Sequence, residues 1–259
     1  MTNPETHQIL RPEEGPVAEV VNPGGRSCVC LVCEHASAMI PASLGALGLR
    51  AADRSSHAVW DPGAADLARA LSDMLDAPLV LSRVSRLVHD CNRPPERPDA
   101  MPDRTEEVEI PGNRALSPQH RAARVSEIYE PFHRAVTDTL DGMGASPVLV
   151  TIHSFTPFWH GKPRATEIGL LHDAEPRLAR AMLAAAPPGP RIELNQPYSA
   201  ADGVTHMLAR HGTARGRDNV MIEVRNDLLA DEMDVRKIAD LLCPMLEAAL
   251  MQVSMQVSA

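Results

Sequence analysis

Polar side chains follow several apolar, strand-like runs of the sequence, at the points where those runs end. Glu34-His35 follows the first such run, and His153 follows the run that begins at Ser146. Asp90-Cys-Asn-Arg93 comes after another run, and Glu223-Val-Arg225 ends the last one. In an open α/β sheet, ligands bind outside the carboxyl ends of the strands, so we expect these groups to converge. They would bring imidazole, carboxylate and guanidinium groups to one place.

Two of these groups have the chemistry of metal ligands. A zinc-dependent hydrolase needs three protein ligands, drawn from His, Asp and Glu, and one open position for water. His35 and His153 have the right side chain for two of these positions. For the third we prefer Asp61, just before a predicted helix, and its competitors are Glu34 and His57. The predicted cofactor is therefore Zn2+ or another divalent transition metal.

Such a site also needs a base that takes the proton of the water, and Glu223 is the candidate. Arg93 is predicted to polarise the scissile carbonyl or to stabilise its oxyanion. Arg225 and Arg164 are predicted to hold a substrate carboxylate through paired hydrogen bonds, and Asn92 to orient either group. These residue types point to hydrolysis of a small amide by a metal-bound water.

Each of these residues also has a structural explanation. A strand-end histidine is often a buried polar group, and Asp61 is equally explained as the N-cap of the helix that follows it. Glu223 can pair with an arginine, and for Asp90 we favour an ion pair with Arg86 or Arg93.

Two other classes of function compete with a metal-dependent hydrolase. The first is a metal-free hydrolase that uses Ser37, Ser154 or Cys33 as nucleophile, with His35 or His153 as its base. The sequence contains no G-x-S-x-G motif, which counts against it. The second is a non-catalytic binding protein of the same fold, which predicts a missing ligand or base, although every principal residue is present.

The elements that would position these residues alternate between strands and helices. Strands are predicted over residues 27–33, 78–81, 146–152, 167–171, 191–194 and 219–224. Helices are predicted over residues 63–76, 117–141, 174–186, 200–211 and 231–251. This alternation predicts a three-layer α/β fold, a mainly parallel or mixed sheet with helices on both faces. We expect one domain over 27–251, a surface arm over 1–26 and a frayed tail over 252–259.

The composition limits the partners and the compartment. The chain has 259 residues and a formal net charge of -9, so it offers no general attraction for nucleic acid or anionic lipid. No apolar run approaches the roughly 18 to 20 residues of a membrane span. An odd number of cysteines without a signal peptide predicts the reducing cytoplasm, and we expect buried packing for the Cys28-x-Cys30-x-x-Cys33 cysteines. We expect a monomer or small homo-oligomer.

An ordered set of motifs resembles a known family. The motifs are Val32-Cys-Glu-His-Ala-Ser37, Asp61-x-Gly-Ala64, Ser85-Arg-Leu-Val-His-Asp-Cys-Asn-Arg-Pro-Pro95, His153-Ser-Phe155, Pro197-Tyr-Ser199 and Ile222-Glu-Val-Arg225. Over roughly residues 28 to 229 they resemble the N-formylglutamate amidohydrolase family. The resemblance implies a phosphorylase/hydrolase-like core, similar to that of zinc carboxypeptidases and aspartoacylases.

The same resemblance implies a reaction and a role for each motif. The reaction is hydrolysis of N-formyl-L-glutamate to L-glutamate and formate, in histidine degradation, and related small anionic N-acyl amino acids stay open as substrates. The implied roles are metal ligation by His35, Asp61 and His153, substrate binding by Asn92-Arg93 and Tyr198, and catalysis by Glu223.

Overall fold

The computed structural model describes residues 8–105 and 108–257. The strands of its central sheet are β1 (Ala18–Val21), β2 (Val29–Cys33), β3 (Leu79–Ser82), β6 (Val148–Phe155), β9 (Ile168–Leu171), β10 (Ile192–Leu194) and β11 (Asn219–Arg225). Two separate strand pairs are β4 (Arg104–Thr105) with β5 (Val108–Glu109), and β7 (Phe158–Trp159) with β8 (Lys162–Pro163). The helices are α1 (Ala64–Leu75), α2 (Pro118–Arg124), α3 (Glu130–Gly142), α4 (Arg177–Ala184) and α5 (Glu232–Val257).

The central sheet has the strand order β1-β3-β2-β6-β11-β9-β10 and is mixed. Four neighbouring strands, β3, β2, β6 and β11, run parallel to one another. On one side the edge strand β1 is antiparallel to β3, and on the other side the parallel pair β9 and β10 is antiparallel to β11. The carboxyl ends of the four parallel strands therefore meet at one edge of the sheet, where ligand sites of α/β folds form.

Helices cover both faces of the sheet, because its central strands are apolar on both sides. Along β2, Leu31 and Cys33 point into a core shared with α1, α4 and α5, while Cys30 and Val32 point into a core shared with α3. Strands buried on both faces read as continuous apolar runs, as β2 does. The predicted three-layer α/β fold is confirmed.

Two helical regions are less regular than the sequence pattern predicts. The segment predicted as one helix over 117–141 is continuous, but Val125–Tyr129 between α2 and α3 is π-helical. The helix predicted over 200–211 is wrong: a single 3-10 turn, Ala200–Asp202, is followed by a second π-helical segment, Leu208–Gly212. The last residue of this second segment, Gly212, packs closely against Asn219, the first residue of β11.

The expectations for the two ends of the chain are wrong within the described residues. The predicted surface arm contains β1, which pairs with the free edge of β3, and Ile9 and Val17 are buried. The predicted tail continues α5 to Val257, with Val253 buried in the core. Residues 1–7 and 258–259 lie outside the described part of the chain.

The C-terminal helix α5 combines length with an apolar composition. Within residues 8–105 and 108–257 it is the one helix able to cross a membrane on these two criteria, with a mean hydropathy of 1.4 over an 18-residue window inside Glu232–Met255. Here Val235, Leu242 and Leu246 on one of its faces pack into the core shared with α1 and α4. This is the packing of a core helix in a layered α/β domain.

Candidate active site

His35, Asp61 and His153 come together at the carboxyl edge of the parallel strands. Asp61 Oδ2 lies 3.2 Å from His35 Nδ1 and 3.0 Å from His153 Nδ1. The three ligand atoms lie within 4.8 Å of one another, and all three residues are buried. Two ring nitrogens and one carboxylate oxygen in this arrangement match the ligand types and number of a catalytic zinc site.

The backbone explains how three distant residues meet. His35 follows β2 directly, and His153 lies in the last half of β6, the neighbouring parallel strand. Asp61 lies in the turn before α1, where its backbone N–H donates to the carbonyl oxygen of His35 at 3.0 Å. The N-cap of α1 is Gly63, so the N-cap alternative for Asp61 is wrong.

Each of the two histidines has a second carboxylate on the far side of its ring. His35 Nε2 lies 2.8 Å from Asp90 Oδ1, and His153 Nε2 lies 3.1 Å from Glu34 Oε2. A carboxylate at Nε2 keeps the proton on that nitrogen, so that Nδ1 can present its lone pair to a metal. Glu34 is therefore placed to orient His153 and lies outside the three-residue group.

The electrostatics of this group favour a bound cation. Burial lowers the pKa of His153, but the Glu34 and Asp61 carboxylates outweigh it and raise that pKa well above its usual value. Burial likewise raises the pKa of Asp61, yet the positive charge on His35 and the hydrogen bonds from the histidines hold it below its usual range. The buried carboxylates thus stabilise positive charge by more than burial disfavours it. A divalent ion at this position would be stabilised by the same carboxylates.

Glu223 faces the same side of the sheet as His153, because the two are register partners on the parallel strands β11 and β6. It lines the cleft, and its Oε2 is buried with no hydrogen-bond partner among the described residues. Burial raises the pKa of Glu223 to about 7, where a carboxylate is matched to general-base chemistry near neutral pH. The alternative that Glu223 simply pairs with an arginine has no support in these contacts.

Arg86 also belongs to the candidate site, a place that the expected ion pair with Asp90 does not by itself predict. Its guanidinium donates to Asp61 Oδ1 at 3.0 Å and to Asp90 Oδ2 at 3.3 Å, and it lines the cleft. The ion pair between Asp90 and Arg86 was expected, but its place beside Asp61 was not. The available signal was the position of Arg86 inside the motif Ser85 to Pro95, which also contains Asn92 and Arg93.

The cleft in front of these residues has a volume of about 200 Å3. Its remaining walls are formed by His57, Ala58, Asn92, Arg93, Thr105, Ser154, Phe155, Thr156, Trp159, Tyr198 and Val204. His57 therefore lines the cleft but is not one of the three converging ligands. The cleft has room for a small substrate.

Asn92 and Arg93 line the cleft but are also tied to a neighbouring loop. Asn92 Nδ2 donates to the carbonyl oxygen of Val204 at 2.6 Å, and Asn92 Oδ1 accepts from the N–H of Met207 at 3.0 Å. Arg93 Nη1 donates to the carbonyl oxygen of Gly203, and Arg93 Nε lies 3.2 Å from Asp99 Oδ2. The side-chain amide of Asn92 is thus occupied by hydrogen bonds to the backbone of Val204 and Met207.

Arg164 and Arg225 do not line the cleft, contrary to the prediction that they hold a substrate carboxylate. The Arg164 guanidinium lies 4.9 Å from the ring centres of both Trp159 and Tyr198, and it donates to the Tyr198 hydroxyl at 2.9 Å. It therefore orders the aromatic wall of the cleft. Arg225 turns away at the end of β11 and pairs with Asp227 at 2.8 Å.

The nucleophiles of a metal-free hydrolase are poorly placed. Ser154 Oγ donates to the carbonyl oxygen of Pro62 at 2.7 Å, and Ser37 Oγ accepts from the N–H of Met39 at 3.1 Å. Neither hydroxyl has a hydrogen bond to a histidine within the described residues. Cys33 is buried in the core with a pKa that burial raises well above its usual value, so its thiol is not activated.

The fold and the site together define an α/β hydrolase-like enzyme with a candidate metal centre beside a buried carboxylate. A model of the N-formylglutamate amidohydrolase family matches residues 27–230. The chain belongs to the N-formylglutamate amidohydrolase family, and it is therefore an enzyme of an amidohydrolase class.

Solved structures of relatives agree with this fold. The chain is 48% identical to gene product Atu2144 from Agrobacterium tumefaciens, with a TM-score of 0.93, over 95% of this chain and 99% of that one. An N-formylglutamate amidohydrolase from Ralstonia eutropha JMP134 shares the fold at 18% identity, with a TM-score of 0.65, over 90% of this chain and 97% of that one. No curated protein matches the chain significantly.

Proposed function

We propose that this protein hydrolyses the amide bond of a small N-acyl amino acid in a metal-dependent reaction, with N-formyl-L-glutamate as the first substrate to test. The observation that carries the proposal is the convergence of His35, Asp61 and His153 beside Glu223, whose buried Oε2 has no hydrogen-bond partner in the described part of the chain. The products from N-formyl-L-glutamate would be formate and L-glutamate.

The three converging residues are the proposed ligands of one divalent ion, with zinc preferred for this ligand set. When bound, such an ion lowers the pKa of a water molecule and polarises the substrate carbonyl. Glu34 and Asp90 hold the two imidazole rings in the orientation that ligation requires.

Glu223 is the proposed base and acid. Its carboxylate takes a proton as the water oxygen bonds to the amide carbon, and it gives that proton to the nitrogen as the C–N bond breaks. The released acid and amine then balance the water consumed. The depth of Glu223 in the cleft supports this role, because burial raises its pKa to about 7.

Two arginines line the cleft, and we assign them different roles. Arg86 donates to Asp61 at 3.0 Å, so it lies beside the proposed ligands and is placed to stabilise the developing oxyanion. Arg93 also lines the cleft, where it donates to the carbonyl oxygen of Gly203, and we assign it to binding of the substrate carboxylate. We thus shift the oxyanion role, predicted for Arg93 from sequence, to Arg86.

The cysteine content and the net charge support a proposal for the compartment and for the kind of substrate. All five cysteines are free, which supports a reducing compartment such as the cytoplasm. Release of formate and glutamate from an N-formyl compound is the step that histidine degradation would require. The net charge of -9 disfavours nucleic acid and anionic lipid as partners, so a small anionic substrate would be held locally by the arginines that line the cleft.

The test joins elemental analysis with an assay of formate release. The purified, undialysed protein and the His153→Ala variant are analysed for metals, and hydrolysis of N-formyl-L-glutamate is measured beside other N-formyl and N-acetyl amino acids. We expect about one zinc ion per chain, lost in the variant, and activity that a chelator removes and zinc restores.

Other outcomes would revise the proposal in separate parts. Hydrolysis of N-acyl amino acids by metal-free protein, with no effect of added zinc, would remove the metal from the mechanism. Metal binding without turnover of any N-acyl amino acid would leave the site in place and reject the substrate class.

A further inference from the structure

Behind the cleft, histidine and tyrosine side chains pack together against the segment Asp90–Arg93. They are His89, Tyr129, His133, His206 and His211, and the rings of His133 and His211 stack nearly parallel with centres 5.0 Å apart. The proposed reaction uses none of these side chains. Tyr129 and His211 belong to the two π-helical segments described above, and such segments often mark functional regions.

The hydrogen bonds of His133 fix the proton positions in this group. His133 Nε2 lies 3.0 Å from the carbonyl oxygen of Cys91, which can only accept, so Nε2 carries the proton. In the neutral ring His133 Nδ1 must then accept, and it lies 2.7 Å from His211 Nε2, which is the donor. The carbonyl of Cys91 is thus held by one buried histidine, and that histidine by another.

The residue that follows Cys91 holds the loop that leads to His211. Asn92 binds the backbone of Val204 and Met207 through its side-chain amide, and Arg93 binds the carbonyl oxygen of Gly203. The chain then continues from Met207 through the π-helical segment to His211. These contacts close a ring that runs from Cys91 through His133, His211 and Met207 back to Asn92.

We propose that His133 and His211 are positioning residues that lock Asn92–Arg93 and the loop 197–207 into one arrangement for substrate binding. The loop supplies Tyr198 and Val204 to the cleft, while Arg93 supplies the cation. The pair acts through the Cys91 carbonyl and touches no substrate. Its effect on substrate binding rests on the proposed function, whereas its effect on the loop does not.

The first test measures the loop itself by hydrogen exchange. In His133→Leu, which removes the donor to Cys91, we expect faster amide exchange across residues 203–212, including the N–H of Met207. In His133→Gln the side-chain amide nitrogen can take the place of Nε2, and we expect exchange close to that of the wild type. Because no substrate is present, this result stands even if the proposed function fails.

The second test separates binding from chemistry. In zinc-loaded His133→Leu we expect the KM for the best N-acyl amino acid to rise about tenfold, the change for about 1.4 kcal/mol of lost binding. We expect kcat to stay within about threefold of the wild-type value, because the loss weakens binding of the substrate and of the transition state equally. His133→Gln should restore KM, and zinc content should not change.

Val136→Ala is the matched control, because Val136 lies one turn along α3, is fully buried and contributes to the same core without bonding Cys91. It should lose stability without changing KM or the exchange of residues 203–212 relative to the rest of the chain. If His133→Leu does not fold, His211→Leu tests the same pair, with His211→Gln as its conservative variant.

The proposal is overturned if removal of the imidazole leaves both exchange and KM unchanged. It is also overturned if the Gln variants behave like the Leu variants, or if Val136→Ala reproduces their effects, since each result would indicate a general packing role. If the wild type hydrolyses no N-acyl amino acid, the proposed function fails and hydrogen exchange alone decides whether the pair holds the loop.

Discussion

His35 and His153 make equivalent contacts: each ring presents Nδ1 to Asp61 and Nε2 to another buried carboxylate. In metal sites, a carboxylate beside the second ring nitrogen of a ligating histidine fixes the tautomer and makes the ligating nitrogen more basic. Glu34 has almost no solvent exposure, and its ion-pair partner among the described residues is His153. The carboxylate therefore has a testable role that is separate from ligation.

At this scale, we predict that Glu34→Gln weakens zinc binding by about 10- to 100-fold, because the amide keeps the shape but removes the charge behind His153. Competition with a fluorescent zinc chelator measures the affinity. Glu19→Gln, on the edge strand β1 and paired with Arg69, is the matched control and should bind zinc as the wild type does. An unchanged affinity in Glu34→Gln would show that Glu34 is only a packing residue.

A second prediction for a single residue concerns Glu223. Glu223→Gln should lower kcat by about 10²- to 10⁴-fold, the usual contribution of a positioned general base, and leave the zinc content unchanged. Stopped assays of formate release and elemental analysis of the same sample measure the two quantities. Turnover at the wild-type rate would remove Glu223 from the mechanism, whereas loss of zinc would make it a part of the metal site.

At the scale of elements, the close approach of strand β9 to the segment after β10 places Tyr198 at the cleft. A Cβ atom on Gly169 in β9 would overlap the carbonyl oxygen of Gln196, two residues before Tyr198. A larger residue at Gly169 must therefore push that segment away from the sheet. The position of the aromatic wall depends on this contact.

We predict that Gly169→Ala lowers the free energy of unfolding by about 1–3 kcal/mol, as expected when atoms are forced into filled space. Urea unfolding followed by circular dichroism measures the change. Gly142→Ala, at the end of α3, meets no atom within 4 Å and is the matched control. It should be neutral or slightly stabilising, and equal losses in the two variants would contradict the overlap at Gln196.

At the scale of the whole molecule, several buried histidines make the fold sensitive to acid. Burial lowers the pKa of His89 to about 4, of His133 to about 2 and of His211 to about 3. In the unfolded chain a histidine has a pKa near 6.5, so the unfolded state takes up these protons first as the pH falls. Their contribution to stability is complete above pH 6.5 and is lost progressively below it.

We predict a pH-dependent difference between the wild type and His89→Phe. Above about pH 7.5 the difference in unfolding free energy between them should be constant. From about pH 6.5 down to pH 4 the variant should gain on the wild type by up to about 1.4 kcal/mol per pH unit, because its unfolded state lacks that proton site. Urea midpoints across this range measure the difference, and a flat profile would contradict a buried neutral His89.

The sequence alone was sufficient for the class of fold and for the three residues that converge at the candidate site. Apolar, β-branched runs that end in polar residues are readable without coordinates, since a doubly covered strand must be apolar along its length. Parallel strands bring their carboxyl ends together, which makes the meeting of His35, His153 and Glu223 predictable. Asp61 was the preferred third ligand, and it stands among the three residues that converge.

Tertiary structure decided which neighbours each group has. Arg86 and Glu34 gain their places from contacts with Asp61 and His153, more than twenty residues away in each case, and no local pattern encodes such distances. Arg225 shares a face with Glu223 by strand alternation, yet Asp227 draws its guanidinium away from the cleft at the strand end. Sequence lists the groups that a site can use, but packing sets their partners.

The same distinction explains the elements that sequence reading missed. The residues of β1 have no distinctive periodicity, and they form a strand because β3 offers an unpaired edge for hydrogen bonding. The end of α5 is helical because Val253 finds a place in the core beside α1 and α4. Local sequence therefore determined the layers and their polar ends. The sheet edge at β1, the last turns of α5 and the loop held by Asn92 depended on free energy gained only through long-range contacts.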